Sequence, residues 1–417
     1  MILALKFYMF FCIVLFGIYI VRHFVFTGNR LLGKQKISYG DILTSELPTV
    51  SVLVPMHNEE KVAEKLLNRL VKVNYPKDKY EIVVINDHST DKTGEIIETF
   101  KKENPEISIK VMHRTTGNRG KPVALNDGLK IASGEIVVVF DADYLPSKDL
   151  IRNLVVNFKN PKVGAVMGRV IPVNSGKNIL TKLLELERIG GYQVDQQARY
   201  NLHLIPQYGG TVGGFRKNLV VKTGGFKENI LAEDTELTFR LYVNGYEVVY
   251  SNRAECYEES PEDWSVRGRQ IRRWSTGHNQ VMFSYIFKLL TSKHLSFFQK
   301  VDGILLLMVY LVPVFLFLGI LDAVALFFLG EANILTYSYF WVISMMIGTF
   351  GNFAPFYQVV AGAILDDSPA KAKLLPLLFF NFFFNTFYIL LGFKDALIGL
   401  VKKHYPIWDK TQRYGDT

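Results

Sequence analysis

Apolar runs of two kinds divide this chain. In its middle, short Val- and Ile-rich stretches recur, each closed by polar or acidic residues. Residues 49–58 stop at Pro55, 81–87 end in Asp87, 107–112 lead into a glycine-rich loop, and 136–143 read Ile-Val-Val-Val-Phe-Asp-Ala-Asp. Runs of this length without polar alternation predict strands buried on both faces of a sheet. Asn58-Glu59-Glu60 opens a helix with acids in its first turn, and Ser89, Thr90 and Asp91 are cap candidates for another reaching about Lys102. A third helix carries Ala124-Leu125-Asn126. Strand–helix alternation at this spacing predicts an α/β fold with a parallel sheet.

Toward both ends the apolar runs lengthen. Met1 to about Phe26, then 303–329, 334–365 and 374–393, predict membrane segments. A cleaved leader is the alternative for the first run, which is long for one and lacks a small-residue cleavage site, so a retained span is favoured. Arg22, Arg30, Lys34 and Lys36 follow it and place the next domain in the cytoplasm. The loop at 330–336 is acidic and the one at 366–373 carries Lys371 and Lys373, which puts the first outside and the second inside. With the basic tail also inside, three simple spans have the wrong parity. Either the first of these runs bends back or the last is re-entrant or broken. Asn381 and Asn385, one helical turn apart in the last run, are expected to face protein or a polar path rather than lipid.

Charge and cysteine usage narrow the classes. The formal charge of +9 over 417 residues could fit nucleic acid, but no nucleic-acid-binding motif occurs and the Lys and Arg residues gather beside the apolar runs. That distribution fits a membrane surface and an anionic substrate. Cys12 and Cys256 are the only cysteines, which excludes a disulfide framework and is compatible with a reducing cytoplasm.

Candidate chemistry collects at the strand ends. In an extended chain Asp141 and Asp143 share a face, and two hard oxygen donors at a strand's carboxyl end suit Mg²⁺ or Mn²⁺ holding a diphosphate. The plainer reading is that Asp-x-Asp merely caps a strand or opens a turn. The loop Gly117-Asn118-Arg119-Gly120-Lys121 is neither a dinucleotide-binding nor a Walker pattern. Four glycines within 207–216 imply a close backbone approach to a ligand. In Leu231-Ala232-Glu233-Asp234, Asp234 opens a helix, where a capping role alone is the common alternative. Gln270, Arg273 and Trp274 lie on one helical face, suited either to a membrane-interface anchor or to a sugar site: amide, phosphate-binding charge and flat ring.

Taken in order, Asp87, Asp141-x-Asp143, Glu233-Asp234 and Gln270-x-x-Arg273-Trp274, flanked by membrane segments, resemble the membrane-embedded family 2 inverting glycosyltransferases of the cellulose, chitin, hyaluronan and poly-N-acetylglucosamine synthase superfamily. The resemblance covers residues 49–280 motif by motif. It implies a Rossmann-like, mostly parallel GT-A domain inserted between N- and C-terminal transmembrane helices. Glu59, Asp87, Lys121 and Asp141 would meet the donor nucleotide, Asp141 and Asp143 the metal, and Asp234 would be the catalytic base. Glu233, Gln270, Arg273 and Trp274 would serve the acceptor and processivity. Asn86 and Ala232 depart from the family's usual Asp and Thr.

The implied organisation is an N-terminal transmembrane helix to residue 26, a linker over 27–48, the transferase domain over 49–255 and interfacial helices over 256–300. A transmembrane bundle over 301–401 and a basic cytoplasmic tail over 402–417 follow. The implied activity is polymerisation of a UDP-sugar into a β-linked polysaccharide passed across the plasma membrane, with membrane lipid but no nucleic acid as partner. Transfer of one sugar to a lipid, or a nucleotide-sensing membrane transporter, are the other readings.

Overall fold

The computed structural model describes residues 1–36, 46–331 and 353–402. The expected linker over 27–48, the apolar run at 334–365 and the basic tail therefore lie partly or wholly outside the described residues.

Eight strands form one sheet: β1 (Val50–Met56), β2 (Tyr80–Asp87), β3 (Ser108–Arg114), β4 (Ile136–Val139), β5 (Leu145–Pro146), β6 (Val163–Pro172), β7 (Gly213–Arg216) and β8 (Glu247–Glu258). They stand in the order β3-β2-β1-β4-β7-β6-β8-β5. β3, β2, β1 and β4 are parallel neighbours, as are β6 and β8, whereas β7 runs antiparallel to both β4 and β6. The central strands are buried throughout because helices cover both faces. Alternation sorts their side chains. Val52, Val54, Ile82, Val84 and Val138 pack on one side, and Leu53, Val83, Ile85, Val137 and Val139 on the other.

The helices follow in chain order: α1 (Ile2–Leu32), α2 (Ala63–Leu70), α3 (Thr93–Glu103), α4 (Lys121–Ile131), α5 (Leu150–Val155) and α6 (Ile179–Ile189). A π-helical stretch, Gly190–Gln196, joins α6 to α7 (Gln197–Asn201). Then come α8 (Lys217–Lys222), α9 (Glu233–Val243), α10 (Trp264–Thr291), α11 (Phe297–Leu307) and α12 (Val312–Phe328). A short apolar helix, Ala354–Leu365, and a final helix, Leu375–Lys402, complete the described chain.

The helices Ile2–Leu32 and Pro369–Lys402 (whose first turn is 3₁₀) are each long and apolar enough to cross a membrane. Their phenylalanines, Phe7, Phe10, Phe380 and Phe383 among them, face outward. The first of the later runs is bent: α11 and α12 meet at 70°. The bend falls at 308–311, in the first of the two runs named as candidates to bend or break. α1 continues past residue 26 to Leu32, and β8 runs through residue 255, so secondary structure crosses both expected boundaries.

Polar contacts tie the apolar helices to the sheet domain. Arg22 of α1 bridges Asp195, at 3.0 Å, and Asp302 of α11, at 3.3 Å, while Arg199 reaches the same two carboxylates at 2.5 Å. At the other end of α1, Lys6 pairs with Glu331 at 2.6 Å. α10 lies along the final helix, where Arg272 holds Asp395 through two bonds of 2.5 and 2.9 Å. A side chain at Gly392 would begin 2.5 Å from the Arg272 carbonyl oxygen, so only glycine admits this approach.

Candidate active site

Every candidate residue of the sequence except Asp143 lines one cavity of about 540 Å³. Strand ends build its first side. Asp87 closes β2, where its carboxylate accepts from the Gly120 amide at 3.0 Å and from Arg114, with His88 Nδ1 at 2.7 Å. Glu59 follows β1, and its amide donates to Thr93 Oγ1 at 2.7 Å. Lys121 opens α4 after Gly120. Its Nζ lies 2.6 Å from Asp141 Oδ1 and 3.7 Å from Glu233 Oε1. Burial pulls the Lys121 ammonium down, but Asp141 and Glu233 more than offset this and hold its pKa above the ordinary value.

Asp141 and Asp143 do not share a strand face. β4 ends at Val139 and the chain turns, with the Tyr144 amide donating to the Asp141 carbonyl at 3.2 Å. Asp141 faces the cavity while Asp143 is buried beside it. The alternation expected from an extended 136–143 stops where the ladder stops. Among the described residues no group of three or more His, Cys, Asp or Glu side chains is arranged around a metal. Two carboxylates nonetheless form a donor set suited to Mg²⁺ or Mn²⁺, which take their other oxygens from phosphate and water.

Asp234 sits in the first turn of α9 and lines the cavity. Its Oδ1 accepts from the Thr235 amide at 2.6 Å. The glycine-rich stretch explains its clearance: Gly210 has φ +73°, and a Cβ there would lie 3.2 Å from Asp234 Oδ2. The expected approach is to a ligand; in the structure Gly210 comes close to the Asp234 carboxylate. Two residues on, buried Val212 holds φ +51°, rare for a β-branched side chain, and Thr211 Oγ1 accepts from the Asp141 amide at 3.1 Å. Burial raises the Asp234 pKa; the Thr235 amide, Lys121 and Arg273 oppose that rise without cancelling it. Burial also raises the Glu233 carboxyl, Lys121 counters, and the Asp234 charge adds to the rise. Glu233, expected on the acceptor side, is paired with the donor-side lysine.

α10 supplies the far side. Gln270, Arg273 and Trp274 face the cavity from one helical face, as their spacing predicts. The guanidinium groups of Arg267 and Arg188 lie 5.3 and 5.8 Å from the Trp274 ring centroid. Arg188 is fixed by Glu258 at 2.7 Å, and Glu258 accepts from the Tyr144 hydroxyl at 2.5 Å. Sequence reasoning missed these neighbours. Arg267, one turn before Gln270, was legible from helical spacing, whereas Glu187 and Arg188 on α6 carry no motif. The π-helical stretch adds Gly191, Tyr192, Asp195 and Gln196 to the wall, and α1 adds Tyr19, Arg22 and His23. Burial pushes His278 down to about 4, so this imidazole is neutral at pH 7 and its Nε2 donates to the Leu306 carbonyl at 2.8 Å.

A Rossmann-like sheet with acids at its strand ends, opening on a cavity that a basic, Trp-bearing helix closes, defines a transferase of the GT-A kind. The comparisons give the family. The family model described as glycosyl transferase family 2 matches residues 51–220, and that described as glycosyl transferase family group 2 matches residues 136–355. This chain belongs to the family described as glycosyl transferase family group 2, whose model matches more than half of it. It is 38% identical over 58% of its length to a Bacillus subtilis protein named "Probable glycosyltransferase YdaM", covering 59% of that protein. It is 30% identical over 66% of its length to poly-beta-1,6-N-acetyl-D-glucosamine synthase of Staphylococcus aureus, covering 66% of it. The matches thus span less than two thirds of these relatives. The fold is also that of a mannosyltransferase from Pyrobaculum calidifontis solved with GDP-Man and Mn²⁺ (TM-score 0.60, 23% identity, 87% of this chain and 96% of that one).

Proposed function

We propose that this chain is a processive, inverting, metal-dependent enzyme that polymerises a UDP-activated sugar into a β-linked polysaccharide and passes it across the plasma membrane. The observation that carries this reading is the continuity of the cavity. It runs from Asp87 and Lys121, past Asp234, to Gln270, Arg273 and Trp274, and on to Tyr19 of α1, Leu305 of α11 and Tyr310. An acceptor held there has its reactive end in the transferase domain and its length among the apolar helices. In this reading the transferase domain lies in the cytoplasm, where UDP-sugars are made.

In this reading Glu59, Asp87, Lys121 and Asp141 bind the nucleotide. Mg²⁺ or Mn²⁺, when held by Asp141 and Asp143, supplies positive charge to the diphosphate. Asp234 takes the proton of the acceptor hydroxyl as its oxygen bonds to the sugar's anomeric carbon and the bond to UDP breaks on the opposite face. One displacement inverts the anomeric centre and needs no carboxylate nucleophile. Gln270, Arg273 and Trp274 hold the acceptor, the indole lying against a pyranose face.

Incubating the purified full chain in lipid with Mg²⁺ or Mn²⁺ and each radiolabelled UDP-sugar, singly and in pairs, tests the proposal. Glycosidase-sensitive label of high molecular weight is expected. Label confined to a small lipid-soluble product would replace polymerisation by single transfer to a lipid, and binding of UDP-sugar without turnover would replace the enzyme by a sensor.

A further inference from the structure

Asn381 and Asn385 stand out in the phenylalanine-rich final helix, and the proposed chemistry does not use them. Both amides turn to one carboxylate on α6: Asn381 and Asn385 donate to Glu187 Oε1 at 2.5 and 3.0 Å. Glu187 Oε2 accepts from Arg267 Nη2 at 2.5 Å. Through Nη1, Arg267 donates to Gln270 Oε1 at 2.9 Å. Asn381 and Arg267 are more than nine-tenths buried, while Glu187 borders the cavity beside Gln270 and Trp274. The chain of contacts thus starts in a membrane helix and ends on an acceptor-side amide.

Its chemistry has a direction. An arginine side chain only donates, so its bond to Gln270 occupies the amide oxygen and leaves the Nε2 hydrogens for the cavity. Glu187 in turn holds Arg267 in place, and the same guanidinium lies over the Trp274 ring. Amides at membrane depth also serve as plain glue between helices. Such glue accounts for Asn381 and Asn385 meeting Glu187, but it does not require Glu187 to pass the constraint to Gln270.

We infer that Glu187, anchored by Asn381 and Asn385, is a positioning residue that works through Arg267 to present Gln270 as a hydrogen-bond donor to the acceptor's hydroxyl oxygens. The inference rests on the proposed transferase reading. Water competes with the acceptor for the activated sugar. A loosened acceptor site therefore lets UDP release continue while glycan formation falls.

The test compares full-length wild type, Glu187→Gln and Asn385→Ala in lipid with the UDP-sugar that the wild type turns over. UDP released and label incorporated into glycan are measured together. For Glu187→Gln, UDP release is expected to stay within about threefold while incorporation falls about tenfold or more, the scale of a small misplacement of a reacting group. Asn385→Ala, which leaves the Asn381 bond, is expected to shift the ratio the same way by less. Unchanged ratios in both variants, whether both rates fall together or neither moves, would overturn the inference and leave the transferase reading intact. Wild-type protein that releases no UDP from any UDP-sugar would overturn both.

Discussion

Replacing Asp234 by Asn isolates the proposed base from the binding site around it. The substitution keeps the side chain's size, and its amide oxygen can still accept from the Thr235 amide now bonded at 2.6 Å. That bond weakens from charged to neutral, a loss of about 1 kcal/mol. Against this, the buried carboxylate's desolvation cost disappears. Folding stability should therefore change by no more than about 1 kcal/mol. Catalysis should change far more, because an amide cannot take the acceptor's proton. Loss of a general base costs about 10²- to 10⁴-fold in rate, or about 3–5 kcal/mol of barrier at 1.36 kcal/mol per decade. In the proposed reading UDP is held by Asp87, Glu59 and Lys121, so UDP affinity should stay within about threefold, under 1 kcal/mol. The assay pairs label incorporation with calorimetric titration of UDP in the presence of Mn²⁺. A loss of transfer under tenfold, or equal loss of transfer and UDP affinity, would falsify the assignment of Asp234 as base.

Because burial raises the Asp234 pKa, wild-type turnover should fall with acidification from a midpoint above the usual aspartate value of about 3.9, a limb absent from the residual activity of Asp234→Asn; a rate flat down to that value would contradict it. Gly210→Ala should cut transfer while sparing UDP affinity, since its Cβ would stand 3.0 Å from that of Asp234 in a φ +73° backbone; wild-type kinetics would show that the clearance is not needed. Removing divalent cation, or substituting Asp141→Asn, should abolish turnover and weaken UDP binding; unaltered UDP titrations would refute metal-assisted donor binding. Gly392→Val should destabilise the pairing of α10 with the final helix by about 1–3 kcal/mol, read as a lower unfolding midpoint in detergent; an unchanged midpoint would contradict the close packing.

Local pattern carried much of this protein. The apolar runs at 49–54, 81–85 and 136–139 became adjacent parallel strands because buried parallel strands need no polar alternation. Helical spacing put Gln270, Arg273 and Trp274 on one face of α10, and kept Asn381 and Asn385 away from lipid. Each of these depends on neighbours within a few residues, where backbone geometry alone sets direction.

The tertiary structure decided what happens where periodicity ends or distant segments meet. Asp141 lines the cavity and Asp143 does not, because the strand ends at Val139 and the chain turns at 141–144, a turn that apolar periodicity does not locate. The chain breaks at 308–311, whereas the sequence leaves open whether this apolar run or the last one departs from a simple span. Glu187 and Arg188 reach the Trp274 side of the cavity only because the fold brings side chains of α6 to those of α10, about eighty residues away in sequence. An isolated Glu-Arg pair on an amphipathic helix has the same local signature whether it meets solvent or a cavity. Burial against the partner helix makes the difference, and that is a property of packing, not of any single stretch.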